Sequence, residues 1–179
     1  TNTGWRASYF ANKDLAGVPV LVQDVREINF DWGNGSPGPN VPADYFSARY
    51  ERTVTLADGN YMLILRVDDG ARVFINDQLV MDDWRTGTVR ELTSVRTMGG
   101  VLRFRIEYFD EVGNASLYFT VAPVGNAIPT PPQPTPQPWQ PSVPNLDIPD
   151  NQWRAQYYNN TDVSGSPVGA EYVQRGFYP

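Results

Sequence analysis

Stretches in which apolar and polar residues alternate one by one commit this chain to sheets. In Val101-Leu-Arg-Phe-Arg-Ile-Glu-Tyr108 the alternation puts Leu102, Phe104, Ile106 and Tyr108 on one face and Arg103, Arg105 and Glu107 on the other, because successive strand side chains point to opposite sides. Ala115–Val121 repeats the pattern with Leu117, Phe119 and Val121, and Ala48–Leu56 reads as another half-buried strand. Tyr61-Met-Leu-Ile-Leu-Arg-Val67 is apolar on both faces through Leu65, which predicts a central strand covered on both sides. Asp58-Gly59, Asp69-Gly70, Asn76-Asp77 and Gly99-Gly100 punctuate these runs at hairpin spacing. No helical period of useful length competes. The pattern predicts an all-β fold, an antiparallel β-sandwich or barrel-like module, with Trp5, Phe30 and Trp32 in its core.

Two absences bound the chemistry. The 179 residues include no Cys and no His, which removes disulfides, thiolate metal sites, the usual general base and the commonest transition-metal ligand. Any metal must be a hard cation on oxygen ligands, calcium or magnesium. Net charge is −6, and Lys13 is the single lysine, so no basic footprint for nucleic acid exists. No apolar run reaches the length of a membrane span. The start at Thr1 reads as a processed or trimmed segment.

Composition divides the chain in three. Residues 1–122 read as the β domain and 123–150 as a linker, in which Ile128–Pro144 carries Pro at nearly every second position. Such a segment is a polyproline II spacer or, with Trp139 as anchor, a ligand for a proline-recognising groove. Residues 151–179 begin a second, incomplete copy of the domain. Trp153-Arg-Ala-Gln-Tyr-Tyr repeats Trp5-Arg-Ala-Ser-Tyr-Phe, and the correspondence runs without a gap to Val168 and Val20. Either the chain cuts a tandem array, or the last segment is a strand that completes another sheet.

Seven segments, in order, carry a family resemblance: Trp5–Phe10, Ile28–Gly33, Ser36–Tyr50, Gly59–Tyr61, Val67–Asn76, Val80–Trp84 and Ile106–Phe109. Together they resemble the family named after the fourteen-kilodalton N-terminal fragment of anthrax protective antigen. The resemblance covers residues from about 3 to 122, and the C-terminal segment matches the family's opening strand. It implies a β-sandwich module of secreted glycosidases, adhesins, toxins and cell-surface proteins, binding carbohydrate in several members, sometimes through calcium.

Asp68-Asp69-Gly70 has two readings. One is a tight hairpin turn in which Asp accepts local backbone donors. The other is a carboxylate pair at a strand end, which needs an unusual backbone to converge on one cation. Flocculin-type adhesins related to the family use a cis peptide between two such Asp residues to bind calcium, which implies Asp68 and Asp69 as metal ligands. Their further Asn, beyond a strand ending in Tyr, maps onto Asp110, a departure that keeps an oxygen ligand and adds charge. Glu111 and Asn114 lie in the same segment as substitutes, and the plain alternative is a solvated hairpin loop at 110–114.

Asp82-Asp83-Trp84-Arg85 combines carboxylates, an aromatic and a guanidinium, a composition suited to sugars, although Trp84 equally suits plugging the end of the sandwich. The ligand-binding set is therefore Asp68, Asp69, Trp84, Arg85 and Asn114, and the metal set is Asp68, Asp69 and Asp110. Asn34, Asn114 and Asn159 open glycosylation-type sequons. Acidic residues adjacent in the chain do not flank a bond as glycosidase carboxylates must, so no catalysis is expected. The expectation is a non-catalytic extracellular carbohydrate-binding or adhesion module of a larger secreted or surface protein, with calcium as cofactor and a glycan as partner. The alternative is a structural assembly module whose linker and C-terminal segment contact neighbouring copies.

Overall fold

A computed structural model describes residues 4–125 and, further on, the strands 152–157 and 169–174. Eight antiparallel strands form the first unit: β1 (Trp5–Phe10), β2 (Leu21–Val25), β3 (Ile28–Gly33), β4 (Phe46–Asp68), β5 (Gly70–Ile75), β6 (Gln78–Asp83), β7 (Arg90–Asp110) and β8 (Ala115–Pro123). Among the described residues no helix is long and apolar enough to cross a membrane. The expected all-β, antiparallel sandwich is what the chain forms.

Two very long strands build both layers. The first half of β4 pairs with β1 and with the second half of β7, which pairs with β5. The second half of β4 pairs with β8 and with the first half of β7, while β8 also pairs with β3. One layer therefore runs β2-β1-β4-β7-β5-β6 and the other β3-β8-β4-β7. Both long strands turn the corner together at a register shift between Leu56 and Gly59, opposite Gly100 and Met98. Bulges of this kind bend and twist a strand without ending it.

This corrects part of the turn reading. Asp58-Gly59 and Gly99-Gly100 are not hairpin turns; they are the bulged corner inside β4 and β7. Gly99 is needed there because a Cβ would collide with Asp58, its backbone nitrogen lying 2.9 Å away. Asn76-Asp77 is a true hairpin turn between β5 and β6, both residues at positive φ (48° and 64°), the geometry of a type I′ turn.

The inward faces meet in one core. Trp5, Tyr9, Ile28, Phe30, Phe46, Tyr50, Leu63, Leu65, Leu102, Phe104, Ile106, Tyr108, Leu117 and Phe119 are all buried. Trp32 packs against this cluster, half-buried, its ring stacked on Phe30 at 5.0 Å. The central-strand reading of Tyr61–Val67 holds: Leu63, Ile64 and Leu65 are all buried, so both faces are covered.

β9 (Gln152–Tyr157) and β10 (Gly169–Gln174) form a separate hairpin. Its register repeats that of β1 and β2: Trp5 stands opposite Val25 as Trp153 stands opposite Val173, and Tyr9 opposite Leu21 as Tyr157 opposite Gly169. The proline-rich spacer, Trp139 and the Asn159 sequon lie outside the described residues.

Candidate functional site

The hairpin readings of 68–70 and 110–114 fail for one reason. β4 does not pair with β5, and β7 does not pair with β8. Each connection instead carries the chain from one layer of the sandwich to the other. The two crossings lie against each other at one end of the molecule, joined where the Glu111 amide donates to Asp69 Oδ2 at 2.7 Å. The peptide between Asp68 and Asp69 is cis.

A third segment, 84–90, closes over this corner. The Gly87 amide donates to Asp69 Oδ1 at 2.8 Å. Arg90 gives its Nη2 to the Asp69 carbonyl at 2.6 Å and to the Arg85 carbonyl at 3.1 Å, and its Nε to Asp83 Oδ2 at 2.6 Å. Arg85 Nε holds the other oxygen of Asp83 at 2.6 Å. Burial works against the charge on Asp83, and these two guanidiniums outweigh it, holding the carboxyl below its ordinary range. Gly70 permits the packing: a Cβ there would collide with Phe109 and come within 2.9 Å of the Arg85 backbone.

Asp110 is the outlier of the corner. It is fully buried, and neither carboxylate oxygen has a hydrogen-bond partner among the described residues. Burial first, then the charges of Asp69, Asp44, Asp68 and Glu111, push its carboxyl up to about 7. Asp68 is raised as well, by burial and by Asp69, with Asp31 adding and Arg90 opposing. Asp44 belongs to the same group and accepts the Gly113 amide at 2.9 Å. Lys13 closes the rim through Glu111, at 2.5 Å.

Oxygen donors crowded this way suit a hard cation. Among the described residues no three carboxylates converge as a finished cage, and each Asp69 oxygen already takes one backbone amide. Asp110, with two unsatisfied buried oxygens, is the group that most needs a cation or a proton. Were a cation to bind here, Asp68, Asp69 and Asp110 are the residues that would hold it, and further oxygens would have to complete its shell.

The other expected residues divide. Asn114 lies with Asp68 in a cleft of about 370 Å³ beside the corner. Trp84 sits on the far side, half-buried, its ring 4.7 Å from Phe109 and covered by the Arg72 guanidinium at 4.0 Å. Arg85 is tied down through Asp83 while its backbone lies against Gly70. Sequence reasoning missed Asp44, Gly87 and Arg90. Asp44 lies inside the Ser36–Tyr50 segment without standing out there, Gly87 and Arg90 lie in no segment of the resemblance, and only the crossing of the layers brings them to the acidic pair.

A family model described as the PA14 domain matches residues 1–133. The anti-sigma-I factor RsgI3 of Acetivibrio thermocellus is 28% identical over 119 residues, covering 65% of this chain and 18% of that protein. An anti-sigma factor domain-containing protein of known structure superposes with a TM-score of 0.66 at 23% identity, over 94% of this chain and 59% of the other. A PA14 sugar-binding domain from an RTX adhesin gives 0.55 at 22% identity, over 71% and 93%. The chain thus spans about a fifth of the curated relative and under two thirds of the anti-sigma structure. These findings correct the resemblance drawn from the sequence: they support the PA14 domain family, with anti-sigma factors among the similar proteins, in place of the narrower protective-antigen N-terminal assignment. From the match over residues 1–133, the chain belongs to the PA14 domain family.

Proposed function

We propose that this chain is a non-catalytic carbohydrate-binding module, acting outside the cell within a longer protein, and that it holds its glycan through a calcium ion at the corner of Asp68, Asp69 and Asp110. One observation carries the reading: Asp110 is buried among four other carboxylates with both oxygens unpartnered. A calcium ion would supply the positive charge that this group lacks, and sugar hydroxyls would complete its oxygen shell. The similarity to a domain described as sugar-binding supports the ligand class. Asn114, which lines the cleft with Asp68, would meet the sugar in this reading; Arg85 and Trp84 would support the loop that covers Asp69.

The test is thermal stability against calcium, with chelator and magnesium controls. A calcium-specific rise that disappears in Asp110→Ala is expected. No shift from chelated protein at about 1 mM calcium, the weak end of extracellular calcium modules, sinks the metal part of the reading.

A second reading rests on the repeated hairpin register of β1–β2 and β9–β10. In it the chain is an assembly unit whose C-terminal hairpin contacts neighbouring copies. Concentration-dependent oligomers in sedimentation would favour it, and a monomer at all concentrations would remove it.

A further inference from the structure

The cleft beside Asp68 is built by cross-strand polar ladders on the outer face of the β3-β8-β4 layer. Asp31, Ser116 and Asp68 stand in one row across the three strands, and Asn29, Tyr118 and Arg66 in the next. All six line the cleft, whose volume of about 370 Å³ falls in the range of small-molecule sites. Such a row on an exposed sheet face usually closes on itself through ion pairs or hydrogen bonds between opposite residues. Arg66 nevertheless makes no ion pair among the described residues, although Asp31 and Asp68 line the same cleft and Glu91 is its cross-strand partner on β7. Asp31 spends one oxygen on the Gly33 amide at 3.1 Å.

We propose that this cleft is a second sugar subsite, continuous with the cation corner through Asp68, so that the module takes an oligosaccharide and not a lone monosaccharide. The inference rests on the carbohydrate reading above. Its chemistry is that of neutral hydroxyl recognition. Arg66 and Ser116 donate, and Asp31 and Ser116 accept, so the lining offers both partners a hydroxyl needs. The mix of one guanidinium and two carboxylates does not favour an anionic group. Asp68 is shared, which sets the sugar in the cleft directly beside the sugar at the ion.

A glycan array of neutral and acidic structures from mono- to hexasaccharide, run with calcium, identifies the tightest-bound glycan. Titration calorimetry then compares that glycan with its own terminal monosaccharide on the unaltered chain, Arg66→Ala and Arg66→Gln. The expected result is an oligosaccharide at least about tenfold tighter than its terminal sugar, a charged-group hydrogen bond being of that size. Both variants should erase that margin while leaving the monosaccharide affinity and the calcium midpoint in place. Glycan binding that is as tight for the monosaccharide, or indifferent to both variants, overturns the subsite and leaves the carbohydrate reading standing. An array with no bound glycan overturns both. A melting curve on each variant separates loss of the contact from loss of the fold, and Arg66→Gln keeps the side-chain stem if the alanine variant unfolds.

Discussion

Strand β7 carries two buried carboxylates three residues apart, and the protein treats them in opposite ways. Glu107, on the outer face, is 3% exposed. Arg49 reaches one of its oxygens at 3.2 Å, Arg72 the other at 2.8 Å, and Arg105 also pairs with it. Two of these guanidiniums lie on aromatic rings, Arg72 over Trp84 at 4.0 Å and Arg105 over Phe74 at 3.9 Å. Asp110, at the end of the same strand, has no cation and no donor among the described residues. A buried charge with partners on every side is settled within the fold; one without them needs a proton, an ion or another explanation. The difference marks Glu107 as a staple of the sheet and Asp110 as the group on which the proposed cation site rests.

That contrast is open to measurement, and the largest effect belongs to the staple. Glu107→Gln leaves three guanidiniums without their common partner and should cost about 3 kcal/mol, read as a lower urea midpoint at unchanged slope. A loss under about 0.5 kcal/mol, the size of an ordinary surface change, would mean that the network is only decoration. Calcium at 100-fold over its dissociation constant should add about 2.7 kcal/mol to the unaltered chain and nothing to Asp110→Ala.

A smaller effect of opposite sign is expected when Asp110→Asn is compared with the unaltered chain in chelator at pH 8. Removing the uncompensated charge should stabilise by about 2 kcal/mol, because an unpartnered buried charge costs more than an unpartnered neutral amide; destabilisation by as much would show that Asp110 has a partner after all. The same imbalance sets a pH dependence. The folded carboxyl of Asp110 ionises near about 7, against 3.8 ordinarily, so the native state holds the extra proton between these values. In the metal-free protein this contribution is full below the lower value and is lost as pH rises through the upper one. Asp83, held low by Arg85 and Arg90, gives the reverse: its contribution is present above the ordinary Asp range and is lost as pH falls. Stability curves of Asp110→Asn and Asp83→Asn against pH should therefore depart from the unaltered chain at opposite ends of the scale.

Much of this fold is legible in local pattern. Leu102, Phe104, Ile106 and Tyr108 were expected on one face because strand geometry has a period of two, and all four are buried. Asp68 and Asp69 stood out as adjacent acids at a strand end. Asp110 entered through the resemblance to a family, since nothing in Tyr108-Phe-Asp-Glu distinguishes a loop acid from a buried one. Asp44 and Arg90 were invisible for the same reason, being remote in sequence and ordinary in context. The misread turns follow from this limit too: Asp58-Gly59 has hairpin composition, and a bulged corner uses the same residues.

By itself, then, the sequence determined the class of structure and restricted any metal to oxygen ligands. Alternation is a local property that dictates strands, and a chain without His or Cys has only oxygen to offer a cation. The tertiary structure alone decided which acids meet. Strand pairing is long-range, and the layer crossings at 68–70 and 110–114 come together only because β4 and β7 bend as one pair through both sheets. The same pairing put three arginines beside Glu107 and none beside Asp110.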